Sequence, residues 1–278
     1  MSQLIEDWKP YYAASNDAAL YLNLAQAMTR GECGESVIGV RRGNANLRAK
    51  VGQVPITASA CESWHDLPGP TFRLLSKDVV YLKLSSVKAA DCAHYVEQAA
   101  GTKGLIIDIR NYPSEFVVFD PGTHLVGKKT PFVRFTFGEL SAPGAFQWGA
   151  PVALDPKPPR YYGKIVVLVD EVSMSQVEYT SMAFRAAPGA IVGSTRAGAD
   201  GNVSPFALPG AINTGISGIG VFYPDKAPTQ RVGIVPNVEV KPTLAGIRAG
   251  RDEVLEEALR QILGRDVPLA EIEKIAKP

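Results

Sequence analysis

Apolar, largely β-branched runs at residues 79–84 (VVYLKL), 104–109 (GLIIDI), 164–169 (KIVVLV) and 190–193 (AIVG) constrain this chain more than any other feature. Runs so short and so continuous suit strands buried on both faces of a parallel sheet. Between them the pattern turns helical, over 89–100 and again after Ser175, and a strand-helix-strand order requires crossover helices packed on the sheet. Residues 71–278 are therefore expected to form an α/β core with a largely parallel sheet and flanking helices. A helix over 251–263, with Asp252 and Glu253 in its first turn and Gly264 past its end, closes that core. Residues 111–162 are rich in Pro and Gly and poorly periodic, which reads as a functional loop region or a small excursion.

Ahead of the core, Ser15 is placed to cap a helix over 16–29, whose apolar face carries Ala19, Leu20, Leu22, Leu24, Ala27 and Met28, and Gly31 is placed to stop it. Residues 36–41 and 45–51 flank Gly43-Asn44, a strong hairpin signal. Residues 51–75, with Pro55, Pro68 and Pro70, read as a linker. The expected division is 1–70 and 71–278.

Composition excludes several functions. Lysines and arginines number 29 against 28 acids and are scattered, so no basic stripe is available for nucleic acid. No apolar run approaches the roughly 18 residues of a membrane span, and the start, MSQLIEDWKPYY, lacks the layout of a secretion signal. Cys33, Cys61 and Cys92 form no Cys-x-x-Cys pair. Neither a zinc cage nor a disulfide framework follows, and they read as plain buried or half-buried thiols. No metal or cofactor is expected.

The stretch VDEVSMSQVEYTSMAF, residues 169–184, raises the functional question, because a strand runs straight into two serines. Ser175-Gln176-Val177-Glu178 has the spacing of a capping box, in which hydroxyl and carboxylate each satisfy a first-turn backbone donor. It equally suits a nucleophile, with Ser175 at the tip of a strand-turn-helix unit and its developing charge facing a helix N-terminus. Ser173 reads as part of the turn.

Three segments together resemble the C-terminal processing, or tail-specific, serine peptidases and their relative the tricorn core protease. Residues 167–178 look like that family's strand, small-residue turn and Ser-x-x-Glu, in which the matching serine is the nucleophile. Residues 107–113 (IDIRNYP) are similar to its Asp-Leu-Arg-Asn-x-Pro-Gly-Gly, whose glycines lie by the oxyanion hole. Residues 233–240 (GIVPNVEV), followed by Gly250-Arg251-Asp252, resemble its closing signature. The likeness spans residues 78–264. It implies a crotonase/ClpP-like core, peptide-bond hydrolysis through an acyl-enzyme on Ser175, a polypeptide substrate and an exported or periplasmic bacterial protein, with two options open for the first segment: a fragment of a longer precursor, or a module decayed to a structural buttress. A homo-oligomer is an open option. The resemblance extends to the first segment, which looks like the trailing half of a PDZ domain. That domain's carboxylate-cradling loop has no counterpart before Ser15, so capture of peptide tails there is not expected.

The residues depart from the family at the base. The processing peptidases use a lysine at a fixed distance after the serine, and aligning residues 201–204 (GNVS) with the family's Gly-Ser-Val-Gln puts Asp200 at that position. An aspartate does not replace an amine directly, and 198–202 reads equally as a tight turn. The tricorn branch takes its histidine from a strand position that here is Lys83. His124 is the only histidine close in sequence to a presumed site element; His65 and His94 read as ordinary. Lys83 and His124 rank level as the base. Gln230 corresponds to the tricorn glutamate and offers hydrogen bonds without charge. Ser114 and Glu115 stand where the family has its two glycines, and with Gln176 their backbone N–H groups are the expected oxyanion donors. A serine peptidase leads. A non-catalytic binding or scaffold protein that has lost the base is the alternative, and a non-peptidase hydrolase of the same fold ranks third.

Overall fold

The computed structural model describes residues 2–28, 30–55 and 66–277, so the readings of Cys61 and His65 lie outside the described residues. Contacts divide the chain into two compact units, Met1–Ala13 with Leu20–Trp64 and Ala14–Ala19 with His65–Pro278. The smaller unit holds helix α1 (Ser2–Trp8), most of helix α2 (Asp17–Met28) and a hairpin of β1 (Gly34–Arg42) and β2 (Ala45–Gln53). The strands pair antiparallel with Arg42 opposite Ala45. Gly43-Asn44 forms the two-residue turn its chemistry favours, with Gly43 at φ +60°.

One expectation about α2 needs correcting. Its first-turn donor, Ala19 N–H, is accepted by Asn16 Oδ1 at 3.0 Å, so Asn16 does the capping and not Ser15. The Ser15 hydroxyl donates to Ala197 O, and Asn16 Nδ2 donates to Arg196 O at 2.7 Å. Cys33 is exposed and Cys92 buried, so only the latter fits the reading of a packed thiol.

The larger unit is built on a six-stranded sheet. In chain order its strands and helices begin with β3 (Phe72–Ser76), β4 (Val79–Lys83), α3 (Cys92–Gln98), β5 (Gly104–Asp108) and α4 (Phe119–Leu125). Then come β6 (Thr130–Gly138), β7 (Phe146–Trp148), β8 (Val152–Leu154), β9 (Lys164–Val169), α5 (Gln176–Ala186) and β10 (Ala190–Gly193). The chain closes with β11 (Val203–Leu208), β12 (Ile212–Ser217), β13 (Gly220–Phe222), β14 (Val238–Glu239), α6 (Leu244–Arg248), α7 (Glu253–Leu263) and α8 (Leu269–Ala276). The sheet order is β14-β10-β9-β5-β4-β3, parallel throughout except for the edge strand β3.

Both faces of this sheet are covered, which is why its strands read as unbroken apolar runs. Val80, Leu82, Ile107, Val167 and Val169 pack with Val96 of α3, Leu125 of α4 and Met182 and Phe184 of α5. Their alternating neighbours, Val79, Tyr81, Ile106, Val166 and Leu168, pack with Val254, Leu255 and Ala258 of α7 and Ile272 of α8. A buried ionic bolt fixes this second layer. Arg110 donates to Asp108 Oδ2 at 2.5 Å and to Asp252 at 2.7 and 2.9 Å, and Tyr81 OH donates to Asp108 at 2.8 Å. Asp252 is also the N-cap of α7, accepting from Leu255 N–H at 3.0 Å.

Residues 111–162 are more ordered than their composition implies. They hold α4 and three strands, and β6 pairs antiparallel with β7, β8 and β13 to make a second sheet. Val133-Arg134-Phe135-Thr136-Phe137 of β6 alternates apolar and polar side chains in sequence, yet Thr136 is buried and Phe137 exposed, so burial does not follow the alternation. The pair β11–β12 is a separate hairpin leaving and returning beside the site.

Candidate active site

Strand β9 ends at Val169, and the next five residues make a turn held from within. Ser173 Oγ donates to Asp170 Oδ1 at 2.9 Å and lies within reach of the carbonyls of Ile109 and Arg110, so this serine is buried structure. Ser175 is different. Its backbone sits at φ 57°, ψ −122°, a conformation disfavoured for any residue with a Cβ, directly before the first residue of α5. A sharp, strained strand-to-helix turn of this kind lifts a side chain out of the packed layer and presents its oxygen. The hydroxyl makes no capping hydrogen bond, so the capping box expected from Ser-x-x-Glu does not form through it.

The other half of that motif, the Glu178 carboxylate, draws on the Ser175 backbone N–H and has further partners. The Glu178 carboxylate, fully buried one turn into α5, accepts from Gly198 N–H at 3.0 Å and Ala199 N–H at 2.9 Å. Ser-x-x-Glu is thus a clamp between the start of α5 and the loop after β10. Further bonds fix that loop: Arg231 N–H donates to Gly198 O at 2.6 Å, beside those from Ser15 and Asn16. Gly198 needs to be glycine here, since its φ is +64° and an added Cβ would lie 2.8 Å from the Arg231 carbonyl carbon. The loop delivers Asp200 to the wall of the cavity into which Ser175 opens.

That cavity, of about 370 Å³, is lined by Ser175, Gln176, Asp200, Tyr112, Phe116 and Tyr179, among others. Tyr179 is stacked between Phe116 and Phe135, each ring about 6.0 Å away, and makes the wall apolar. Burial pushes the Asp200 carboxyl up to about 7, with the Glu178 charge adding to it and the Gly201 N–H and Arg196 opposing it. Its Oδ2 is buried without a hydrogen-bond partner. Burial, helped by the Asp200 charge, raises Tyr179 to about 12. Burial also raises Glu178, against its backbone donors and Arg196. The Arg196 guanidinium, wholly buried, is lowered by that burial to about 10 while Glu178 and Asp170 support its charge.

Of the residues singled out from sequence, Ser175 and Gln176 share this cavity. Gln230 lines a neighbouring one of about 440 Å³ with Phe146, Trp148 and Phe222, and Ile219 lines both. The Gln230 amide abuts Gly201, its Nε2 standing 2.9 Å from where a Cβ there would be. Glu115 O accepts from Gln176 Nε2 at 3.0 Å, tying its loop to the start of α5. The Ser114 N–H is already donated, to Leu84 O at 3.0 Å. Lys83 and His124 are not among the residues lining the cavity. Lys83 has the same parity along β4 as Tyr81, which points it to the α7 layer, and its Nζ donates to Leu67 O at 3.1 Å. His124 is buried in α4 with Nδ1 facing Pro159 O at 2.6 Å and Lys157 O at 3.1 Å, where it ties down the segment before β9. Among the described residues no cluster of His, Cys, Asp and Glu is arranged to hold a metal, and no helix is long and apolar enough to cross a membrane.

One family profile matches the segment that holds this turn and loop. Residues 136–240 match peptidase family S41. The matched S41 segment contains Ser175, Asp200 and Gln230, while Lys83, Ser114, Glu115 and His124 precede it. Solved structures share the fold at low identity. A putative peptidase from Parabacteroides merdae is 21% identical with TM-score 0.63, over 70% of this chain and 64% of its own. Mature CPAF is 13% identical with TM-score 0.69, over 96% and 76%. The photosystem II D1 C-terminal processing protease is 17% identical with TM-score 0.51, over 85% and 62%. The chain thus spans less than two thirds of the Parabacteroides and D1-processing proteins. No curated protein matches the sequence significantly. The α/β fold with a mostly parallel sheet, read first from the apolar runs, is the fold of these solved structures.

Proposed function

We propose that the protein is a serine peptidase that hydrolyses peptide bonds in extended polypeptides through an acyl-enzyme on Ser175. The observation that carries this reading is the Ser175 backbone, held at φ 57° at the entrance of α5 with a hydroxyl that caps nothing and opens into a cavity. Strain of order 1–3 kcal/mol at one non-glycine residue persists only where the surroundings impose it. The S41 match over this segment supports the same chemistry. In the reaction Ser175 Oγ attacks the scissile carbonyl carbon, and the resulting oxyanion faces the N-terminus of α5. There the Gln176 N–H has no acceptor within the helix and the helix dipole favours negative charge. The Glu115 N–H is the second donor, held nearby by the Gln176 side chain. The adjoining cavity with Phe146, Trp148 and Phe222 is a place for an apolar side chain of the substrate.

A fluorophosphonate probe tests this directly, since only an activated serine is phosphonylated at a useful rate. The wild-type chain should label at Ser175 and degrade casein, and Ser175→Ala should do neither. Casein turnover unchanged in Ser175→Ala sinks the proposal.

A further inference from the structure

We propose that the Asp200 carboxylate is the general base that takes the proton of Ser175, so that this site works as a serine-carboxylate pair without histidine or lysine. The inference rests on Ser175 being the nucleophile. From sequence, the aspartate at this position was seen only as no direct replacement for an amine.

Four features of the site carry it. Asp200 and Ser175 line one cavity, and Tyr112 is the other titratable side chain there besides Tyr179. Asp200 is 5% exposed and its Oδ2 is buried without a hydrogen-bond partner, so an acceptor oxygen stands unused on a residue that shares its cavity with Ser175. Buried acceptors are ordinarily satisfied, and the exceptions gather where chemistry needs them. The loop that bears Asp200 is clamped at Gly198 and Ala199 by Glu178, which lies three residues after Ser175 on the same helix. Finally, the amine and imidazole that sequence offered as bases are bonded to backbone carbonyls elsewhere.

A carboxylate is normally too weak a base for a serine hydroxyl at neutral pH. The surroundings of Asp200 correct this. Its apolar wall of Tyr179, Phe116 and Phe135 and the nearby Glu178 charge raise its proton affinity, while Arg196 on its own loop and the Gly201 N–H keep part of the ionised form. The second sheet contributes the apolar Phe135 and Val221 to the lining of this cavity, and Ile219 just before β13 adds to them. The resulting value of about 7 is where a general base is most effective at neutral pH.

The step balances without a further reactant. As Oγ bonds to the carbonyl carbon, its proton passes to Asp200. The protonated Asp200 then gives that proton to the leaving nitrogen as the C–N bond breaks, leaving the acyl-enzyme and an ionised Asp200. In deacylation Asp200 takes a proton from the attacking water and returns it to Ser175 Oγ as the ester bond breaks.

The test is the rate of fluorophosphonate labelling from pH 5 to 9 for the full chain and for Asp200→Asn, Asp200→Glu and Ser175→Ala, with casein hydrolysis alongside. Wild type should label with a rate that rises through an inflection near pH 7. Asp200→Asn should label at least about a hundredfold more slowly with the inflection gone, and Asp200→Glu should keep an inflection at a displaced pH. Labelling of Asp200→Asn at the wild-type rate overturns the role of Asp200 and leaves Ser175 standing. So does slower labelling that retains the wild-type inflection, because some other group then titrates. An unmoved inflection in Asp200→Glu, read independently of the Asn variant, also overturns it. Wild type labelling no faster than Ser175→Ala overturns the nucleophile, and this inference with it.

Discussion

Replacing Asp200 by asparagine should make the protein more stable at pH 8, even as it removes the activity proposed for it. Burial among Tyr179, Phe116 and Phe135, with Glu178 close by, raises the carboxyl from an ordinary 3.8 to about 7. Folding therefore makes the group bind its proton about a thousandfold more tightly, which is on the order of 4 kcal/mol. The sign follows from proton counting. Between these two values the folded chain holds a proton that the unfolded chain has released, so stability falls as pH rises through the window and levels off above about 7. Asparagine keeps an oxygen for the Gly201 N–H and carries no charge to desolvate. Its advantage should be on the order of 4 kcal/mol at pH 8 and should shrink towards nothing near pH 4. Thermal melts of wild type and Asp200→Asn, followed by tryptophan fluorescence across that range, read the difference. Equal stability at pH 8, or an advantage that does not change with pH, would refute the claim that this carboxylate is held against its solvation.

Three further outcomes test the surrounding construction. Ser175→Gly should abolish labelling yet raise stability by about 1 kcal/mol, because glycine accepts φ 57° without strain and no cap is lost; a lower melting temperature counts against this. Glu178→Gln leaves one acceptor oxygen for the two N–H donors of Gly198 and Ala199, and should cost about 1–3 kcal/mol in urea denaturation. Arg110→Ala strands Asp108 and Asp252 without their buried cation and should cost about 3–5 kcal/mol, visible as loss of folded protein on mild heating.

What the sequence disclosed, and what it hid, follows from which interactions are local. The strands β4, β5, β9 and β10 were legible because a strand buried on both faces shows as an unbroken apolar run. That same continuity hid the direction of Lys83, since neither face of β4 is marked polar, and parity with Tyr81 means something only once α7 is seen to cover that side. For residues 111–162 the excursion reading agrees with the second sheet, but the individual strands went unread because proline and glycine interrupt the pattern. Ser175 was legible from the strand-turn-helix pattern, but its strained backbone and idle hydroxyl were not, being set by the loop it faces. Beyond the local Ser175 N–H, the Glu178 partners lie some twenty residues further on, where only the fold brings them. Asp200 is the hardest case, because a carboxylate's proton affinity is decided by burial and neighbours that no spacing rule reveals.

The clamp formed by Glu178 has a mechanical consequence. Helix α5 carries Ser175 at its head and, through Glu178, anchors the loop that ends in Asp200. When the helix slides or tilts against the sheet, oxygen and carboxylate ride on the same body. Their separation behaves like the gap between two instruments bolted to one rail: the rail vibrates and the gap stays constant. The same body takes in the Phe116 ring stacked on Tyr179 and the Glu115 carbonyl held by Gln176, so this side of the cavity keeps its spacing with the helix.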